Sequence, residues 1–160
     1  ASQFSDSNLV GRMLTLCEEE DCPPGLLEVE ITETMAMTNP EMALSHVQTL
    51  KQHGFRIAID DFGVGYSSME YLLQIPHDLI KIDRTFVSDI IESKGSRAII
   101  RAITSFCASM DILCLAEGVE TERQRDYLDA LGVDLIQGFL LARPLPAEEF
   151  EALLHSDGTL

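Results

Sequence analysis

Two adjacent aspartates, Asp60 and Asp61, close a short apolar run, and a glycine-rich turn beginning at Gly63 follows them. The same arrangement, acidic residues where an apolar run ends, recurs along the chain. One run ends in Glu30-Ile31-Thr32-Glu33, a second in Asp60-Asp61, a third carries Lys81 and Asp83, and a fourth ends in Glu117-Gly118-Val119-Glu120. A fifth run ends in Gln137-Gly138. Carboxylates brought that close repel and raise one another's pKa, so a cation is expected among them. Oxygen-only donors select a hard ion, Mg²⁺, Mn²⁺ or Ca²⁺, over zinc, which favours Cys and His. A strand sends neighbouring side chains to opposite faces, so Asp60 and Asp61 are expected to sit where the strand opens into a turn. There both can reach one ion pair, and two hard ions ~3.5–4 Å apart are suited to in-line attack of water on phosphorus.

Alternating strands and helices must position these groups. Strands are expected at residues 26–32, 56–60, 78–83, 112–116 and 134–137. Helices are expected at 6–20, 39–53, 68–74, 96–110, 121–131 and 146–154. Asn39-Pro40 is a cap followed by a first-turn proline, and Gly54 and Gly132 follow helix ends. Ile99, Ile103, Phe106, Cys107 and Met110 lie on one face at helical spacing. Five apolar strands with intervening helices predict an α/β fold of parallel βα units, whose ligand face is formed by the carboxyl ends of the strands.

Single residues have plainer readings. A lone acidic residue at a strand end is often a helix cap, a role open to Thr121 or Asp134. Glu28 reads as a solvated strand position, and Lys81 alone could be a structural ion pair. Residues 122–126 read as an exposed helix face. Gly63 and Gly65 are not followed by a Lys and so do not make a phosphate-cradling loop. The recurrence of acidic residues over four consecutive strands outweighs these readings. A phospho-receiver also combines an acidic pair with a Lys on five βα units, but there the pair lies on the first strand and the Lys on the fifth. Here they lie on the second and third.

Composition limits the partners. The 160 residues carry 27 acidic and 11 basic side chains, a formal charge of −16. That argues against DNA or RNA, whose phosphates demand clustered Lys and Arg, and against anionic membrane surfaces. No apolar run reaches the ~18 residues of a membrane span, and the first residues lack the pattern of a signal peptide. Cys17, Cys22, Cys107 and Cys114 have neither zinc nor redox spacing, which favours a reducing compartment, with Cys107 and Cys114 as buried small hydrophobes.

At these residues the chain resembles the EAL domain family of bacterial cyclic di-GMP phosphodiesterases. The matching segments are Leu27 to Glu33, Asp60 to Ser68, Lys81 to Phe86, Ala116 to Thr121 and Gln137-Gly138-Phe139, all in family order. The resemblance implies a modified TIM barrel, of which about five parallel βα units are present here. It implies hydrolysis of cyclic di-GMP to linear pGpG with two Mg²⁺ or Mn²⁺ ions. Carried over, Glu30 and Asp60 look like ligands of the first metal, with Asp60 bridging to a second that Asp61 also holds. Glu117 looks like the base or a second-metal ligand, Lys81 like the group orienting the attacking water, and Glu33 like the anchor of the Asp60–Ser68 loop. Gly63, Ser67, Ser68, Asp83, Glu120 and Gln137 complete the substrate rim. Val64 stands where the family usually has Thr.

The resemblance also implies what the chain lacks. The Glu-Ala-Leu signature and the Asn of the next motif are absent, so residues 1–160 are expected to be one EAL domain truncated at its N-terminus. Without two first-metal ligands, this polypeptide alone is expected to turn over little substrate. A non-catalytic cyclic di-GMP receptor is the alternative, disfavoured because the acidic positions present are intact. The resemblance further implies bacterial cytoplasm and an upstream sensor or GGDEF domain in the parent. Two open sheet edges add an expectation of homodimerisation, domain swapping or poor solubility.

Overall fold

The computed structural model describes residues 6, 8–65 and 69–155. Five strands form one parallel sheet in the order β1-β2-β3-β4-β5: β1 Glu28–Thr32, β2 Arg56–Phe62, β3 Leu79–Ile82, β4 Leu113–Glu117 and β5 Leu135–Gln137. Each strand is laid beside its predecessor in one direction. Right-handed crossovers then put the helices on a single side, as in a barrel; a doubly wound sheet reverses order at its centre.

The helices are α1 Leu9–Glu19, α2 Glu33–Thr38, α3 Pro40–Gln52, α4 Met69–Gln74, α5 Arg84–Ser88, α6 Lys94–Met110, α7 Glu122–Ala130 and α8 Ala147–His155, with a 3₁₀ turn at Pro24–Leu26. Strand alternation assigns the two faces of the sheet. Ile31, Ile57, Ile59, Ile80, Ile82, Cys114 and Ala116 are buried in the core with Val47 and Leu50 of α3, Ile100, Ile103 and Cys107 of α6 and Leu128 of α7. The opposite face carries Glu30, Asp60, Lys81, Leu115, Glu117 and Gln137, and it is the more exposed. Among the described residues, β1 and β5 each have one unpaired edge.

Two aspartates, Asp78 half-buried and Asp134 exposed, tie the amino ends of the strands together. Asp78 accepts the Ile57 N–H at 2.8 Å and the Lys51 ammonium at 2.6 Å. Asp134 accepts the Cys114 N–H at 2.8 Å, so it ties β5 to β4 and caps no helix. Cys107 and Cys114 are buried as expected. The helix expected from residue 96 begins at Lys94, capped by Ser93, whose hydroxyl accepts the Ser96 N–H.

Helix α6 ends at Asp111, whose φ of 57° and ψ of 41° are left-handed. That conformation costs a side chain about 1–2 kcal/mol, whereas glycine loses about 0.4–1 kcal/mol through the freer unfolded chain. Asp111→Gly is therefore expected to stabilise the fold by about 0.5 kcal/mol, read as a higher urea midpoint at unchanged slope.

Candidate metal and phosphodiester site

The site is built at the carboxyl ends of β1 to β4. Strand β2 does not open into a turn after Asp60, as expected from the sequence, but continues through Phe62. Ile59 pairs with Ile80 and Phe62 with Ile82, so three steps on β2 oppose two on β3. The extra residue is a β-bulge, and Asp61 within it takes a φ of 53°. The bulge cancels the alternation that would separate neighbouring side chains. Carboxylate oxygens of Asp60, Asp61 and Glu117 consequently lie within 4.8 Å of one another.

Lys81 lies beneath this cluster on β3, only 5% exposed. Its Nζ is 2.6 Å from Glu30 Oε1, 2.7 Å from Glu117 Oε1 and 3.2 Å from Asp60 Oδ1. Burial works against the charged lysine, but the carboxylates of Glu117, Glu30 and Asp60 outweigh it and hold the pKa above the ordinary lysine value. Asp61 is pushed the unfavourable way. Desolvation and then the negative charges of Asp60 and Asp83 raise its pKa, and Lys81 only partly opposes them. The buried Asp60 Oδ1 makes no hydrogen bond despite its proximity to Lys81. A carboxylate oxygen held only by the longest of the three Lys81 contacts, beside two further carboxylates, fits the donor set of a hard divalent cation.

Glu33 has a different place. It is 3% exposed, follows β1 as the first residue of α2, and its Oε2 accepts the Gly63 N–H at 2.8 Å. A Cβ on Gly65 would lie 2.7 Å from Glu33 Oε1, so the loop wraps tightly around this carboxylate. Removing the anchor frees the segment that follows the two aspartates. Misplacement of reacting groups by an ångström can cost about a hundredfold in rate. Glu33→Ala is expected to lower any reaction run at this rim by about that factor, and to cost about 1–3 kcal/mol of stability. A rate assay and thermal melts of the same preparation check both numbers.

The remaining predicted residues divide. The Asp83 carboxylate caps α5, accepting the Thr85 N–H at 2.9 Å, and adds negative charge near Asp61. Glu120 is exposed and outside the carboxylate cluster, as is Gln137, although Gln137 pairs in register with Glu117. Ser67 and Ser68 lie outside the described residues. Gln124, read from the sequence as part of an exposed face, is buried. Its Oε1 accepts the Glu120 and Thr121 N–H groups at 2.9 Å each, and its Nε2 donates to Val87 O at 3.3 Å. The Thr121 hydroxyl answers by accepting the Gln124 N–H. This capping box fixes the loop after Glu117, and the spacing Thr-x-x-Gln was its sequence signal.

A parallel sheet wound in one direction, with acidic residues gathered at its carboxyl rim, defines a barrel-type α/β domain with its ligand face at that rim. A family model described as the EAL domain matches residues 1–144, and the chain belongs to that family. The chain is 39% identical over 152 residues to the bifunctional diguanylate cyclase/cyclic di-GMP phosphodiesterase MucR of Pseudomonas aeruginosa, covering 95% of this chain and 22% of MucR. It is similar to the solved PaMucR phosphodiesterase in complex with c-di-GMP at a TM-score of 0.90 and 38% identity, over 92% of this chain and 60% of that one. Klebsiella pneumoniae BlrP1, solved with manganese and cy-diGMP, matches at a TM-score of 0.83 and 34% identity, over 89% of this chain and 36% of that one. The chain spans about a fifth of the length of the curated relatives it matches. No helix among the described residues is long and apolar enough to cross a membrane.

Proposed function

We propose that these residues form the catalytic rim of a cyclic di-GMP phosphodiesterase that hydrolyses one phosphodiester to linear pGpG. The observation that carries this reading is the approach of Asp60, Asp61 and Glu117 to within 4.8 Å on an EAL fold. Two divalent cations, Mg²⁺ or Mn²⁺, would supply an acidified water and neutralise the charge developing on the phosphate. Asp60, Asp61, Glu30 and Glu117 are the donors suited to hold them. Glu117 is also placed to take the proton of the attacking water. The Lys81 ammonium orients that water and offsets phosphate charge. Glu33 keeps the Asp60–Ser68 loop in place, and Asp83, Glu120, Gln137, Gly63, Ser67 and Ser68 border the substrate.

The activity proposed is that of the protein in which these residues sit. The 160-residue polypeptide taken alone is expected to turn over slowly, because the family pattern supplies further first-metal ligands from positions not among these residues. Four free thiols fit the reducing bacterial cytoplasm. The edges of β1 and β5 that are unpaired among the described residues support a homodimer as part of this reading. Chromatography of cyclic di-GMP incubated with the protein and Mn²⁺ tests the reading. Formation of pGpG is expected; binding without pGpG at any Mn²⁺ or Mg²⁺ concentration would establish a receptor instead.

A further inference from the structure

Every carboxylate that Lys81 touches is one assigned above to cation binding. The ammonium bridges Glu30 on β1, Asp60 on β2 and Glu117 on β4 from β3. Its backbone is fixed, with Lys81 in register with Leu115 in the middle of the sheet. The carboxylates are also brought together by the backbone, because each projects from a strand or strand end of the same parallel sheet, with half-exposed Glu30 the freest of the three. Bare anions held this way repel, and desolvation makes the repulsion stronger than in water. A buried lysine at their centre removes the problem, with all three contacts at ion-pair distance. The lysine stem is flexible, so its head can withdraw along the sheet face without any movement of β3.

We propose that Lys81 is the resident counter-ion of the cation-free site: it keeps Glu30, Asp60 and Glu117 converged, and a divalent cation enters by taking carboxylates from the ammonium. The inference rests on reading these carboxylates as metal ligands, and it concerns the state that precedes the metal. Two consequences follow for the free protein. The site is preformed before any cation arrives, so cation binding requires no folding step at the rim. The observed cation affinity is a difference, because each carboxylate the cation gains is one the ammonium loses. Removing the ammonium therefore leaves a hungrier site on a less stable fold.

The experiment is Mn²⁺ titration by calorimetry of the wild-type protein and of Lys81→Met, with thermal melts of both in chelator and in Mn²⁺. Lys81→Met is expected to bind Mn²⁺ at least about tenfold more tightly. It should also melt lower than wild type in chelator, and gain more from Mn²⁺ than wild type does. Folding of Lys81→Met only when Mn²⁺ is present also supports the proposal. Equal or weaker Mn²⁺ binding by a folded Lys81→Met overturns it and leaves the metal site standing. Absence of Mn²⁺ binding by the wild type overturns both readings. Should Lys81→Met fail to fold under either condition, ¹⁵N-lysine spectra of the wild type decide: the Lys81 ammonium resonance must move as Mg²⁺ is added. An ammonium signal unchanged at saturating Mg²⁺ contradicts the proposal.

Discussion

Asp60→Asn should lower cyclic di-GMP hydrolysis at least about a thousandfold and leave the fold intact. The substitution preserves shape but removes the negative charge at the centre of the site. Asp60, like Glu117, both contacts Lys81 and belongs to the close trio that Asp61 completes. It is also the residue read as bridging two cations, so both are affected at once. A metal ligand contributes several kcal/mol of charge stabilisation, and each 1.36 kcal/mol is tenfold in rate, which gives about three orders of magnitude. Stability should change little, because losing one of several mutually repelling carboxylates relieves repulsion while the Lys81 ammonium keeps Glu30 and Glu117. Rates under Mn²⁺ saturation and melts in chelator check the two halves. A loss of less than tenfold would remove Asp60 from the metal set.

Gly138→Ala should be the most damaging single methyl in the described residues. A Cβ there would lie 2.2 Å from Val119 O and 2.3 Å from Val119 N, both backbone atoms. The same two atoms join the loops after β4 and β5: Val119 donates to Gln137 O at 3.0 Å, and Leu140 donates to Val119 O at 3.0 Å. Making room therefore breaks both bonds. Val119 is fully buried, so water does not replace them, and each unmatched group costs about 1–3 kcal/mol. A loss of about 3–5 kcal/mol is expected, a large share of the ~5–15 kcal/mol that holds a domain together. At roughly 2–4 °C per kcal/mol the melting temperature should fall by about 10 °C or more. The register between Glu117 and Gln137 would go with it, so activity should drop more steeply than stability. A melting temperature within about 2 °C of wild type would show that the loops part easily.

Much of this was legible in the sequence, for identifiable reasons. The five strands were visible because parallel strands covered by helices read as short apolar runs bounded by turn residues, as in residues 56–60 and 78–83. The acidic rim was visible because four of the five runs carried carboxylates at or near their ends. Helices α2 and α5 were not foreseen. At six and five residues they are too short to show a 3.6-residue period, and each starts directly from a strand end through a capping side chain, Thr32 or Asp83. The bulge at Asp60–Asp61 was also hidden, since a two-against-three pairing depends on the partner strand and leaves no local composition signal. The sequence demanded a cation among the carboxylates; that the chain supplies one itself, in Lys81, required knowing that β3 lies between β2 and β4. Gln124 was missed because a charged neighbourhood, residues 122–126, masked its capping spacing.

The charge of −16 takes on a definite meaning in this setting. It opposes binding to extended nucleic acid, but a cluster of carboxylates around divalent cations presents a positive surface to a small phosphodiester. Metal would thus reconcile the acidity of the chain with the phosphate substrate proposed above. The most direct test is a crystal of the protein grown with Mn²⁺ and examined by anomalous scattering at the manganese edge. Manganese is expected on Asp60, Asp61 and Glu117, with the Lys81 ammonium drawn away from Asp60 or Glu117. A saturating Mn²⁺ soak that leaves these carboxylates without anomalous density, and Lys81 still bridging Glu30, Asp60 and Glu117, would contradict this.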